Sequence, residues 1–504
     1  MSSDFPTLDP AQATDTESIG AIQLMDQPLF TYSDTGALVG LLAQGFAWSN
    51  SGTVLTVQLN PGATFADGSP VLATDVVYSI GRLLAKDTAS PHASSFQDLE
   101  GYAQLREGKA AAGLTASGPR TVVFRLQHAL PYLPELLAMP STAVLEQKVA
   151  DVPGSAQRAW WFAHSAGSGP YVLASSTPGQ SLRLAPSPHY WGQASGGGPF
   201  APVEFRIVSD AATQTRLFAA GQLDVLAPAP PTAFAGGLPP AGARLLEAGN
   251  EGVSFLGFDT TRPPFDNPLV RQAVAYALNK PKLLAAAGPG SLAAGLVPPG
   301  VPGFDANLAP YPYAPARAQA LLAQAGLASG TPVTLLTIAA SGTVQQGSSD
   351  AMAAQVAKDL DAVGFDVTVQ RDTWQEYYRD LAAGRANLFE GTWLADYPDP
   401  QDFVFHLLGP GAAGQGPGGY ASRAFTPALQ AAEAASTSSA RLEAYAALER
   451  VIYQEVPILP EVYTESTVLL QPWVHPASAA VFLRPPLLPQ LQRVWIQQSR
   501  KANG

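Results

Sequence analysis

The sequence predicts a mixed α/β protein built in several lobes, and three observations carry that prediction. At 504 residues the chain exceeds what one hydrophobic core organises, so two or three domains are expected. Between Thr331 and Ala395, β-prone apolar runs alternate with helical stripes in the order β-α-β-α-β, which demands a mostly parallel sheet with right-handed crossovers. No repeat of solenoid or propeller period occurs.

In chain order, Val54 to Leu59 and Thr121 to Leu126 read as strands, and Thr74 to Ala85 as a helix capped by Thr74. Asn267 followed by Pro268 marks another helix start: an Asn side chain can accept a first-turn N–H, and proline's missing N–H costs nothing there. Leu269, Ala273 and Tyr276 are expected on its buried face. Pro332 to Ala340 reads as a strand. Met352, Val356, Leu360 and Val363 then form the stripe of an amphipathic helix that Gly364 stops. Phe365, Val367 and Val369 alternate as the next strand, Trp374 to Ala383 is a short helix closed by Gly384, and Ala386 to Leu394 is a third strand. Pro/Gly-dense stretches at Ala227 to Gly242, Gly288 to Pro302 and Gly409 to Gly419 read as connectors.

Composition narrows the chemistry. The chain has no cysteine, which removes disulfides, thiol catalysis and Cys-liganded metals together. Net charge is -12 and no Lys/Arg cluster occurs, so neither nucleic acid nor an anionic membrane is an expected partner, and a cationic or zwitterionic small ligand fits better. No apolar run approaches the ~20 residues that span a bilayer. The opening Met1-Ser2-Ser3-Asp4-Phe5-Pro6 has neither the basic nor the apolar region of a leader, which leaves a cytoplasmic protein and a mature exported one both open.

The most informative stretch is Gly391-Thr392-Trp393-Leu394-Ala395-Asp396-Tyr397-Pro398-Asp399-Pro400. It sets an acid between aromatics just past the carboxyl end of a sheet strand, the edge where ligands sit in open α/β sheets. The alternative is a Pro-rich turn in which Asp396 and Asp399 accept backbone N–H groups. Period two puts Glu390, Thr392 and Leu394 on one strand face and Gly391, Trp393 and Ala395 on the other, with Glu390 towards solvent. Enzymatic motifs are scarce. The six His never recur at i, i+4, there is no phosphate-binding Gly loop, and Pro170 follows Gly167-Ser168-Gly169 where a nucleophile elbow would need a helix.

An ordered set of segments resembles the bacterial ABC-transporter solute-binding proteins of family 5, the group of the oligopeptide- and dipeptide-binding proteins. It comprises Thr7-Leu8-Asp9-Pro10, Leu42 to Trp48, Val57 to Pro70 followed by Thr74 to Ser79, Gly167 to Tyr171, Pro188-His189-Tyr190-Trp191, and Asp259 to Asn267 leading into Val270-Arg271-Gln272-Ala273. The resemblance implies a periplasmic-binding-protein-like fold of two α/β lobes joined by a hinge, with an extra inserted domain, three domains in all. Lobe I would comprise 1-28, 147-253 and 464-504, the inserted domain 29-146, and lobe II 254-463. It implies further that Asp396 receives the ammonium of a bound peptide, that Trp393 and Trp374 line side-chain pockets, and that Tyr463 and His92 face the ligand. Extended backbone at Thr14, Asp15 and Thr16 would pair with the peptide main chain as an added strand.

The pattern also departs from the family. Basic positions that clamp a peptide carboxylate in the oligopeptide branch fall here on Glu390, Leu381, Ala382 and Ser348, with Arg379 and Arg385 nearby at shifted positions. The strand ahead of the Leu8-Asp9-Pro10 entry is expected to be shortened. The reading is a non-enzymatic, monomeric, extracytoplasmic binding protein without cofactor or metal, which captures a peptide ligand between closing lobes and passes it to a membrane ABC permease. A binding protein for a non-peptide solute such as a metal chelate, glycoside or other amine, or an α/β hydrolase, are the alternatives.

Overall fold

The alternation between residues 331 and 395 becomes a parallel unit at one side of a seven-stranded sheet. In the computed structural model, which describes residues 1, 4–152, 158–192, 202–229, 242–339, 344–409, 419–435, 437–476 and 494–496, strand Thr331–Ile338 pairs in parallel with Phe365–Asp372 and with Leu388–Leu394. Helices Val344–Asp361 and Trp374–Ala382 make the crossovers. The second is started by reciprocal bonds, Thr373 Oγ1 accepting the Glu376 N–H while the Glu376 carboxylate accepts the Thr373 N–H. Gly384 follows it at φ +62°, a left-handed backbone that glycine adopts without strain.

The rest of the sheet corrects the expectation of a mostly parallel one. Arg244–Phe258 pairs antiparallel with both Leu388–Leu394 and Ile458–Leu470, and Val225–Leu226 and Gly290–Leu292 add antiparallel to the latter. These partners come from segments far apart in sequence, which local periodicity cannot pair. Alternate residues enter different cores: Val253, Phe255, Leu336 and Phe389 on one face, Leu256, Phe258, Leu335 and Leu388 on the other. The sheet is therefore buried on both faces.

Its register is locked by glycines. Phe255 stands opposite Gly391, and Gly257 opposite Phe389, so each ring occupies the space where its partner's Cβ would be. The two rings meet edge to face at 6.4 Å. A slip of one residue would drive side chains into the rings and turn Trp393 to the opposite face.

Elsewhere a four-stranded antiparallel sheet runs in the order Ala43–Ser49, Val54–Leu59, Thr121–Arg125, Leu114–Gly118, and a three-stranded one joins Tyr171–Thr177, Ser181–Pro186 and Val203–Arg206. The helix expected from Thr74 spans Ala73–Leu84, and Thr74 does not cap it. Asp75 does the satisfying instead, its carboxylate accepting the Leu72 N–H at 2.9 Å and the Gln147 N–H at 3.1 Å. Asn267 caps Pro268–Ala277 as expected, accepting the Leu269 N–H. Its buried face is Val270, Ala273, Val274 and Ala277; Leu269 and Tyr276 are only half-buried, Tyr276 meeting Tyr311 edge to face at 5.1 Å. The connectors at 227–242 and 409–419 lie mostly outside the described residues. Among the described residues no helix is long and apolar enough to cross a membrane.

Candidate functional site

The register that pairs Phe with Gly also sets a row of residues across three strands. Val253 stands directly opposite Trp393 on one side and Tyr463 on the other, so two aromatics 70 positions apart share a sheet face and one core cluster. Two residues beyond Trp393 the chain leaves the strand, and its neighbours part company. Ala395 packs into the core that contains Trp393, whereas Tyr397 is buried in a different core, with Leu130, Leu133 and other residues of the 11–144 region. Tyr397 stacks on Tyr132 with centroids 6.1 Å apart. Asp396 thus sits on the seam between two hydrophobic cores.

Its carboxylate is uncommitted. Asp396 is half-buried, and it makes no ion pair and accepts no hydrogen bond from any described residue. Its own N–H donates to Asp402 Oδ2 at 3.0 Å, and the Trp393 indole Nε1–H donates to the same oxygen at 2.9 Å. Asp399 behaves as the turn alternative expected: it caps helix Pro400–Leu408 by accepting the Gln401 N–H, and it pairs with Arg441. Of the two acids only Asp399 acts as a turn residue.

Asp402, fully buried, and His406 were not singled out from sequence. His406 Nδ1 lies 2.8 Å from the Asp402 carbonyl and 3.2 Å from Asp402 Oδ1, and its ring stacks on the Trp393 indole at 5.1 Å. Burial pushes Asp402 up to about 6, against the opposing hydrogen bonds. For His406 burial works to lower the pKa, but the Asp402 carboxylate outweighs it and raises it to about 9. The i, i+4 spacing of Asp402 and His406 was visible in the sequence, but nothing local showed that both turn towards the strand end.

The other predicted residues are dispersed. Tyr463 is 5% exposed; its hydroxyl donates to the Gly295 carbonyl at 3.0 Å and accepts the Gly295 N–H at 3.1 Å. Trp374 opens its helix, but its side chain lies outside the described residues, as does that of Ser348. His92 Nε2 lies 3.0 Å from the Ala13 carbonyl and so is tied to the backbone just before Thr14. Extended backbone there ends sooner than expected: Asp15 is extended, but it caps helix Thr16–Met25 by accepting the Ser18 N–H at 2.8 Å, so Thr16 is already helical. Burial raises the Asp15 pKa. Thr14 is exposed.

Glu390 is not solvent-facing. It lies on the face opposite Trp393, opposite Leu256, and is 5% exposed beside fully buried Glu461. Burial and the Glu461 charge push Glu390 well up, burial raises Glu461 to about 7, and burial lowers neighbouring Lys280 to about 8. Both Glu461 oxygens and Glu390 Oε1 are buried without a hydrogen-bond partner among the described residues, and burial favours the protonated form of each carboxyl. The strand's second face packs a core of its own here, with Leu256, Leu388 and Leu459, and Glu461 and Lys280 come in beside Glu390 from remote segments, which single-strand periodicity does not reveal. Arg379 and Arg385 are both engaged by Asp380, at 2.8 and 2.9 Å. Among the described residues no cluster of His, Asp and Glu has the arrangement of a metal site.

Comparison with known proteins agrees with this architecture. The periplasmic murein peptide-binding protein MppA of Escherichia coli strain K12 is 26% identical over 486 residues, covering 93% of this chain and 87% of that protein. The di/tripeptide-binding protein 2 of Pseudomonas aeruginosa is 27% identical over 449 residues, covering 84% of this chain and 81% of its own. The solved structure of the Escherichia coli murein tripeptide binding protein MppA superposes with a TM-score of 0.81 at 24% identity, over 98% of this chain and 97% of that one. The sequence profile of the bacterial extracellular solute-binding proteins, family 5 Middle, matches residues 37–415. With three-quarters of its length matched and the multi-sheet α/β fold in common, the chain belongs to the family 5 bacterial extracellular solute-binding proteins.

Proposed function

We propose that this protein captures peptides outside the cytoplasm, between two lobes that close on them, and delivers them to an ABC importer without chemically altering them. The observation that carries the reading is the Asp396 carboxylate, half-buried at the seam of two cores, with no ion pair and no accepted hydrogen bond among the described residues. An acid held in that way is completed by a cation from outside, and a peptide's α-ammonium is such a cation. Trp393 and Tyr463 stand in one row and would wall side-chain pockets, and His92 and the backbone at Thr14 and the extended Asp15 would also face the ligand. The family and the peptide ligands named for MppA and the di/tripeptide-binding protein support a peptide over a chelate or a glycoside.

The division into lobe I (1–28, 147–253, 464–504), inserted domain (29–146) and lobe II (254–463) is supported by the cores. One core gathers residues from 5–25 and 145–184, another residues from 11–144 together with Tyr397, and two more residues from 253–463. The two long strands that would cross between lobes have a register shift between Gly249 and Val253, close to the 253/254 boundary. An interrupted ladder bends more readily than a regular one, as a hinge requires. Ligand contacts from both lobes would then favour the closed state. Native mass spectrometry of the protein purified from bacterial cells is the test. A co-purifying peptide is expected; a sugar or chelate adduct would overturn the assignment, and turnover of added peptides would overturn the non-enzymatic one.

A further inference from the structure

Asp402 lies in the first turn of helix Pro400–Leu408, where a carboxylate ordinarily serves the helix's own N–H groups. Here it turns back to the strand end. One oxygen, Oδ2, accepts two donors from outside the helix, the backbone N–H of Asp396 and the indole N–H of Trp393. The other, Oδ1, is buried without a hydrogen-bond partner among the described residues, and His406 Nδ1 approaches it at 3.2 Å. His406 in turn lies flat against Trp393, 18° from parallel. The charged groups facing this pair are Asp396, from the strand-to-helix loop, and the two residues themselves; Trp393 contributes the indole from the strand.

We infer that Asp402 and His406 are positioning residues of the ligand-amine site: one buried carboxylate holds both the backbone that carries Asp396 and the indole that walls the pocket, while the imidazolium beneath that indole balances its charge. The inference rests on the reading of Asp396 as the amine anchor. It also defines the ligand charge. Two neighbouring carboxylates without a cation would compete for the guest's ammonium or for a proton. With His406 charged, Asp402 is neutralised within the protein, and Asp396 alone remains to be matched, which suits a single ammonium rather than a dication. Asp402 also makes the geometry rigid, because the anchor's backbone and the pocket wall hang from one atom and cannot shift independently.

The test uses trialanine and N-acetyl-trialanine as probes, isothermal calorimetry at pH 7, and an NMR titration of the His406 ring in the ligand-free protein. Asp402→Ala removes the oxygen that accepts both N–H groups and should weaken trialanine about tenfold or more, the loss of one charged hydrogen-bond acceptor. Asp402→Asn keeps an oxygen that can accept the same two N–H groups, so affinity should stay within about threefold. The same variant should drop the His406 pKa from about 9 in the wild type towards the ordinary ~6.5. Wild-type affinity for trialanine in a folded Asp402→Ala protein would overturn the positioning role. So would an ordinary His406 titration in the wild type, which decides the matter even where Asp402→Ala does not fold. Equal binding of both probes by the wild type would instead defeat the amine reading alone, because the His406 titration needs no ligand.

Discussion

Replacing Asp396 by Asn is the most direct probe of the site, since it removes the charge and keeps the volume. A unit charge pair about 4 Å apart is worth ~4 kcal/mol at the effective dielectric of ~20 that describes partly exposed sites. Truncation of one member of a desolvated pair typically costs ~2–5 kcal/mol. Asp396 is half-buried, so solvent screens it and the lower part of that range applies, ~2–3 kcal/mol. At ~1.4 kcal/mol per decade this predicts a loss of ~30- to 150-fold in affinity. Calorimetry on a two-by-two set, wild type and Asp396→Asn against free and N-acetylated peptide, isolates the charge contact from everything else the substitution disturbs. The expected coupling is ~2–3 kcal/mol, with the acetylated peptide indifferent to the substitution. A coupling below ~0.5 kcal/mol would refute the anchor, because errors in additivity alone reach that size.

Other consequences concern stability. A methyl group added at Gly257 would fall within the Phe389 ring, so Gly257→Ala should cost ~1–3 kcal/mol by urea denaturation; Phe389→Leu in the same chain should recover part of it, and an additive double variant would count against the interlock. Arg441 is 4% exposed at its side chain, paired with Asp399 and stacked over Tyr132 at 4.7 Å and Tyr445 at 4.9 Å, so Arg441→Ala should cost ~3–5 kcal/mol by leaving Asp399 without its cation. A cost within ~1 kcal/mol would show that the pair is dispensable. Burial raises Asp26 and Glu449 to about 8 and Glu135 to about 7. The folded chain then holds protons that unfolded carboxyls release near ~4, so this stabilisation is complete below ~4 and lost as pH rises through 7 to 8. The melting temperature should fall between about pH 5.5 and 8.5; a rise would mean that these groups are buried as paired ions.

Much of this protein was decided by short-range chemistry that the sequence displays. The parallel unit at 331–394 follows from apolar spacing and from stops at Gly364 and Gly384, and Asn267 begins its helix because capping is a contact between neighbours. Asp396 was legible because an acid, two aromatics and the end of a strand are adjacent in the chain. Tertiary structure decided what needed distant partners. The antiparallel pairing of Arg244–Phe258 with Ile458–Leu470 brings Tyr463 into line with Trp393, and no local pattern reports a register between strands two hundred residues apart. Glu390 alternates like a solvent-facing residue, yet it is buried beside Glu461 and Lys280, which come from segments remote in the chain. Asp402 and His406 have the spacing of an ordinary helix pair, and only packing of that helix against the strand end aims them at Trp393 and the Asp396 backbone. Local sequence fixes φ, ψ and caps over a few residues, whereas the solvation and partners of a charge depend on which remote segment covers it, and that is settled only when the cores assemble.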